Sequence, residues 1–512
     1  MIGNNTYGGG GGKQKGIYPI DSSGLPTGDV IVPDGVTSLN PNIFYNNKNI
    51  TSVKLPTTCV KFDGSCFSGC TKLKSVNIPD GMPSIPSNCF YNTAALSTVY
   101  IPASVTSIGD SAFNYSGVSN ITLAEGTKMS LGSSCFSRTS VTNEDVTNIL
   151  NHAGSLSSYV FDYTTTITEI VIPKCWFGMF GNCTNLKKVT LTGATKSSSE
   201  TLYHFGQNAF QNCTALEEFI FDIPEDKQQV QKIAYGAFKS CTKLSSFTIP
   251  NTVQEIGDYA FSGCTSLTTL NIPSSVTKID IYAFRQSGAL SNLTIDDNAF
   301  YSLGGYCFSD NKNITSGELV KKILTHATTL GTNIFQSCSS LPAELEVPKI
   351  STGTFYSCTS LVKVNVTGYL DTLSMGNEVF KGCSKLEEVT LAEGVTTIGV
   401  QVFYDCKVLK KVYLPSSITT ATNSSLTSTN NSYYVFYNCT ALEDVQVGTD
   451  WNMSLRLNVS SNLTVESMVA MFNNLKNLTD ETAKTLTLGS TNLAKLTDEQ
   501  KAIATNKNWT LA

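Results

Sequence analysis

Phenylalanine returns at a fixed interval along this chain, and that recurrence restricts the possible folds more than any other feature. Phe44, Phe67, Phe90, Phe113 and Phe136 stand 23 residues apart. The series resumes at Phe180, Phe210, Phe238, Phe261, Phe284, Phe308, Phe335, Phe355, Phe380, Phe403 and Phe436, with several more steps of 23 and longer steps that carry insertions. Sixteen anchors in register define a repeat array. A unit of this length cannot bury its own apolar face, so neighbouring units must stack to form a shared core.

The same grammar surrounds each anchor. One unit holds Phe67, Cys70, Leu73, Val76, Ile78 and Pro79. Another holds Phe261, Cys264, Leu267, Leu270, Ile272 and Pro273, followed by Val276 and Ile279. Val76 and Ile78 alternate with polar neighbours, the period of a short strand with one buried face. Pro79 lacks a ladder donor and ends that strand. Stacked units then pair these strands in parallel, and the expected fold is a repeat solenoid.

These motifs resemble the BspA-like class of leucine-rich repeats over roughly residues 29–450. The resemblance implies stacked parallel β-strands. It also implies a surface-exposed or secreted bacterial protein acting by binding, in several cases as an adhesin, with the ligand left open. The tail is similar to endings of repeat proteins from gut bacteria and their phages.

Two stretches, 142–156 and 316–330, interrupt the rhythm alike, and 464–475 is a weaker third copy. Each opens with a hydroxyl residue, Thr142, Ser316 or Thr464, then an acid and apolar residues at helical spacing, which predicts inserted, capped helices outside the strand ladder. His152 and His326 occupy equivalent places, so a block of about 174 residues is duplicated. The expected domains are a flexible Gly-rich N-terminal arm (1–28), the solenoid (29–450) and a small α/β C-terminal cap (451–512). In the cap, Leu486 to Gly489 reads as a last strand, and Thr497 to Gln500 as a capping box. The final residues from Asn508 to Leu511 are expected to fold back over the open end, as the last unit of a solenoid requires.

Composition narrows the function. Charged residues are 15% of the chain and its net charge is −5, without a basic block, which argues against nucleic-acid binding. No apolar run is long enough to span a bilayer, so no membrane insertion is expected. The first residues lack the apolar stretch of a secretory signal peptide. With Met1 as the natural start, this points away from signal-dependent export and towards a processed chain, an unconventional route, or release within a virion.

Candidate chemistry is sparse. Ten of the sixteen cysteines follow an anchor by three residues and four directly precede one; only Cys59 and Cys175 fall elsewhere. No CxxC pair is present, so the zinc spacing is missing and the cysteines read as buried free thiols acting as small hydrophobes. His152, His204 and His326 are too scattered for a metal site or a triad. No catalytic residue, metal site or cofactor is expected.

Binding surfaces fit the pattern better. Residues just before the Ile-Pro position should face outward, among them Lys54, Asn77, Tyr100, Asn271, Thr390 and Tyr413. A second outward column follows the anchors and carries Tyr45, Tyr91, Tyr356, Tyr404 and Tyr437. Exposed tyrosine gives contact area at low entropic cost. The seven tyrosines are therefore the candidate ligand-binding residues, for a cell-surface glycan or protein. The leading reading is an extracellular recognition protein, either a bacterial surface adhesin or a phage tail receptor-binding protein, alongside other virion or surface subunits. The rival is a rigid structural spacer or virion scaffold without its own ligand.

Overall fold

The fold, given by a computed structural model, is described for residues 25–193, 206–224, 230–288, 290–368 and 374–512, and for four short strands before them. It is a parallel β-solenoid in two compact units, Met1–Val253 and Gln254–Ala512. Residues 451–512 lie within the second unit.

One coil illustrates the rest. Phe90 is fully buried at the centre of a tight turn, and Leu96 enters the same core six residues on. The strand Thr98–Ile101 follows, with Val99 and Ile101 inward. Pro102 ends it, and its carbonyl accepts from Val105 N at 3.0 Å to close the next turn. A second, two-residue strand, Ser107–Ile108, then returns the chain to Phe113. The V-x-x-I motif is thus a strand in its own right, not foreseen in the sequence. A complete coil contributes one strand to each of two parallel ladders, as where Thr98–Ile101 pairs with Asn120–Leu123 and Ser107–Ile108 with Met129–Leu131. The turns pair too: Phe67 N donates to Cys89 O at 2.9 Å and Phe90 N to Ala112 O at 2.7 Å. Backbone groups that a lone coil would leave unsatisfied therefore bond to the neighbouring coil.

The anchor rings stack. In the first unit Phe44, Phe67, Phe90, Phe113, Phe136, Phe161, Phe180, Phe210 and Phe238 form one column, with centroids 5.2–5.9 Å apart and planes within 14°. In the second unit the rings from Phe261 to Phe436 do the same at 5.4–5.9 Å. Phe161 is a seventeenth anchor that the periodicity missed. Its coil has Thr164 in place of the marker cysteine, and the helix before it shifts the spacing.

The helices lie where predicted: α1 (Asn143–His152), α2 (Gly317–His326) and α3 (Val465–Asn473), capped by Thr142, Ser316 and Thr464. They are substitutions more than insertions. The short strand of the coil survives behind the first two, as Ala153–Leu156 and Ala327–Leu330, so each of these helices occupies the place of a long strand. Side chains then replace the missing ladder bonds. Asp145 Oδ1 accepts from Ile121 N on one side at 2.9 Å, and Asn143 Oδ1 accepts from Thr168 N on the other at 2.9 Å. Ser467 Oγ likewise accepts from Val445 N at 3.0 Å. A lysine from a later coil satisfies carbonyls at each helix C-terminus: Lys174 reaches Ala153 O, Lys349 reaches Ala327 O, and Lys507 reaches Phe472 O and Asn473 O. A cation there also suits the helix dipole.

Before residue 25, Ile2–Gly3 pairs antiparallel with Tyr18–Pro19, and Thr6–Tyr7 with Gln14–Lys15; the glycine run 8–12 lies outside the described residues. At the other end, Trp509–Leu511 does not fold back. It extends the ladder in parallel beside Lys484–Thr487, with Trp509 buried and its Nε1 donating to Lys476 O at 2.9 Å. The short helices α4 (Ser490–Leu493) and α5 (Asp498–Thr505) complete the chain, the latter with the capping box of Thr497 and Gln500.

Candidate functional site

The exposed side of each anchor turn has an unusual backbone. Two positions after each of the seventeen anchors, the backbone is left-handed, with φ between 53° and 77°. Asn46, Gly69, Asn92, Asn182, Gly263 and Gly382 take this position, as residues that tolerate positive φ should. Three consecutive turns depart from the rule and place Tyr115 (φ 61°), Arg138 (φ 56°) and Tyr163 (φ 57°) there. A second departure lies two residues before the anchors, where Tyr259 (φ 56°), Tyr282 (φ 60°) and Tyr306 (φ 57°) succeed one another. Bulky side chains in this conformation carry strain, and strain of this kind concentrates at functional sites.

Both triplets form platforms. In the first unit, the Arg138 guanidinium lies 3.9 Å from the Tyr163 ring centre and 4.8 Å from that of Tyr115, and Tyr91 meets Tyr115 edge-on at 5.8 Å. Tyr115 and Tyr163 are 46% and 42% exposed. Beside them, burial raises the pKa of the Asp162 carboxyl above its ordinary value, against the opposing pull of the Asn182 amide and Arg138. In the second unit, Tyr282 stacks on Tyr259 at 4.8 Å and on Tyr306 at 4.9 Å. Arg285 sits 5.5 Å from the Tyr282 ring and bonds Asp310 at 2.7 Å. A cation held against aromatic faces contributes roughly 0.5–2 kcal/mol per contact, which holds each strip in one shape.

The seven tyrosines expected from the sequence do not form a single surface. Tyr45 stands alone on the first coil, 53% exposed. Tyr91 joins the Arg138 platform, and Tyr100 projects from its strand beside Thr122. Tyr356, Tyr404 and Tyr437 make a third strip: Lys381 Nζ lies 5.6 Å from the Tyr356 ring and 5.0 Å from that of Tyr404, which stacks on Tyr437 at 4.5 Å. Tyr413 is committed locally, its hydroxyl donating to Glu393 Oε1 at 3.1 Å. Burial tends to raise the Glu393 pKa, but bonds from Ser416 N, Ser417 N, the Tyr413 hydroxyl and the Ser417 hydroxyl outweigh it and hold the pKa below the usual value. Tyr413→Phe should therefore raise the Glu393 pKa, read by NMR titration of that carboxyl; an unmoved titration would remove the Tyr413 contribution. Because a depressed folded pKa stabilises only above the unfolded one, this contribution is present at neutral pH and is lost on acidification.

The profile of the BspA type leucine rich repeat region matches in six copies, over residues 37–168, 154–231, 231–343, 320–432 and 348–481. The chain belongs to the BspA type of leucine-rich-repeat proteins. Among solved structures, it is similar to a leucine-rich repeat protein from Bacteroides ovatus, at 19% identity, covering 100% of this chain and 98% of the other with a TM-score of 0.34. A leucine rich cell surface protein from Faecalibacterium prausnitzii is 18% identical, with 86% and 94% covered and a TM-score of 0.29. Pneumococcal vaccine antigen PcpA is 14% identical, with 73% and 86% covered and a TM-score of 0.32. No curated protein sequence matches this chain.

The BspA-type cysteine column does more than fill space. All sixteen cysteines are free and buried. Within each unit, those three residues after an anchor donate to the anchor carbonyl one coil back, as in Cys70 to Phe44 O at 2.9 Å, Cys383 to Phe355 O at 3.1 Å and Cys439 to Phe403 O at 2.9 Å. Where this BspA-type chain substitutes the cysteine, the replacements include the donors Thr164, Ser287 and Asn311 at the same carbonyl position. Burial drives the thiols away from ionisation, pushing Cys70 and Cys383 up to about 12. Since the thiolate is the reactive form, Ellman's reagent at about pH 8 should label essentially none of them until the chain is unfolded. Rapid native labelling would contradict this burial.

Neither described histidine faces a reaction centre. His152 Nδ1 donates to Asn148 O, and the buried His326 donates to Ala299 O while stacking on Phe300 at 5.4 Å. His204 lies outside the described residues. Among the described residues, no group of three or more His, Cys, Asp and Glu side chains is placed to hold a metal ion, and no helix is long and apolar enough to cross a membrane. The sequence reading missed Tyr115, Arg138, Tyr163, Tyr259, Tyr282, Tyr306 and Arg285. Arg285 aside, only their left-handed backbone sets them apart, though tyrosine where asparagine or glycine is usual was a visible sign.

Proposed function

We propose that the protein is a non-enzymatic recognition protein that binds a cell-surface glycan or protein through the aromatic and cationic strips of its anchor turns. One observation carries this reading: Tyr115, Arg138 and Tyr163 keep bulky side chains, in consecutive coils, at backbone positions where asparagine or glycine avoids strain. The packing of the core gains nothing from rings that remain nearly half exposed. They form a rigid, amphipathic contact area of the kind that binding surfaces use.

The test replaces Tyr115 and Tyr163 together by asparagine, a residue suited to this backbone. Stability should hold or rise, while attachment of the labelled protein to cells falls by about tenfold or more, equivalent to about 1.4 kcal/mol. Unchanged attachment, also after the same replacement of Tyr282 and Tyr306, would favour a rigid spacer. An extracellular setting, as a bacterial surface adhesin or a component of a virion tail, follows from the same reading. Neighbouring genes for anchoring or for tail assembly would separate the two.

A further inference from the structure

A trough of about 720 Å³ crosses five consecutive coils of the second unit, those anchored by Phe261, Phe284, Phe308, Phe335 and Phe355. Its lining includes Gln286, Asp310, Asn311, Lys312, Ser337 and Ser339, and neither an aromatic nor an aliphatic side chain lines it. One acid and one base leave the lining neutral, and Arg285 already pairs the acid, Asp310.

Asn311 is the unusual member. It occupies the column that cysteine fills in ten of the seventeen anchor turns. Its Nδ2 does the work of the thiol, donating to Phe284 O at 2.9 Å and Phe308 O at 2.8 Å. Its Oδ1 is left over: the residue is 1% exposed and that oxygen has no hydrogen-bond partner. Asn47, the other asparagine in this column, has its own Oδ1 occupied by Asn49 N at 2.9 Å. A buried acceptor without a donor costs about 1–3 kcal/mol, and cysteine would supply the same carbonyl contact without it.

We propose that this trough binds a neutral, unbranched oligosaccharide laid across the coils, with a hydroxyl or amide N–H donated to Asn311 Oδ1. The inference rests on the recognition reading above. Sugar hydroxyls both donate and accept, as do the serine hydroxyls and the Gln286 amide. A peptide needs buried apolar anchors that this lining does not offer. Successive anchor rings here are 5.4–5.9 Å apart, close to the length of one pyranose ring with its linkage, so each sugar meets one coil.

The test uses the full chain with linear hexasaccharides of β-1,4-glucose, α-1,4-glucose and β-1,4-N-acetylglucosamine, measured by calorimetry. At least one should bind saturably. Ser339→Trp, which fills the trough from an exposed position, and Asn311→Cys, which restores the common residue, should each weaken binding by about tenfold or more. The thermal stability of Asn311→Cys should equal or exceed that of the parent, separating lost binding from lost folding. Failure of all three sugars to bind, equal binding by both variants, or selection of a peptide by the same trough would overturn the proposal. Cell attachment of the Tyr115 and Tyr163 replacement is measured alongside as a separate readout. Loss of cell attachment in that variant alone upholds the recognition reading whatever the fate of the trough.

Discussion

Phe113→Ala is expected to destabilise the first unit by about 3–5 kcal/mol, the usual range for deleting a buried phenylalanine ring. The ring is fully buried and lies between Phe90 at 5.2 Å and Phe136 at 5.3 Å, so its removal breaks two stacks and opens a cavity inside the column. The turn backbone is fixed by bonds to both adjacent coils, Phe90 N to Ala112 O and Phe113 N to Cys135 O, and cannot collapse into the gap without breaking them. In a repeat array stability is a sum of unit and nearest-neighbour contributions, so the loss should be local. Urea unfolding followed by circular dichroism gives the magnitude, and hydrogen exchange should show faster opening in the coils around Phe113. A loss below about 1 kcal/mol would mean that the stacked column is not what holds these coils together.

Asp145→Ala should come next, at about 2–4 kcal/mol, from a lost N-cap partner together with a stranded backbone donor. One carboxylate oxygen accepts from Thr142 N at 2.8 Å and from the Thr142 hydroxyl at 2.7 Å, closing the capping box. The other takes Ile121 N, a donor that would have paired with a strand had the coil not turned helical. Asp145→Asn keeps one acceptor and should lose less. Exchange at the Ile121 amide distinguishes the two effects: it should accelerate sharply in the alanine variant and little in the asparagine variant. If the alanine variant unfolds at the parental urea concentration, α1 does not depend on Asp145 to bridge the interrupted ladder.

Asp145 also shows where a sequence stops being informative. Its place three residues after Thr142 announced a capping box, because that signal is local and its geometry is set within one helical turn. Its bond to Ile121, 24 residues earlier, required knowing that the helix replaces a strand. Lys174, Lys349 and Lys507 are similar cases. Nothing near them in the chain marks them as helix caps, because the helix ends they serve lie 21 or more residues away.

The repeat, the inward face of each long strand and the caps of the three principal helices were determined by the sequence alone, since spacing and alternation are properties of a single coil. Tertiary structure decided how coils meet: Phe161 joins the column without its marker cysteine, thiols bond the preceding anchor carbonyl, and helices stand in for strands. It also grouped the tyrosines, since Tyr115, Arg138 and Tyr163 become neighbours only when successive turns are laid side by side. The physical reason is that hydrogen bonds and ring contacts between coils join residues 18 to 36 positions apart, and one sequence read in order does not display that adjacency.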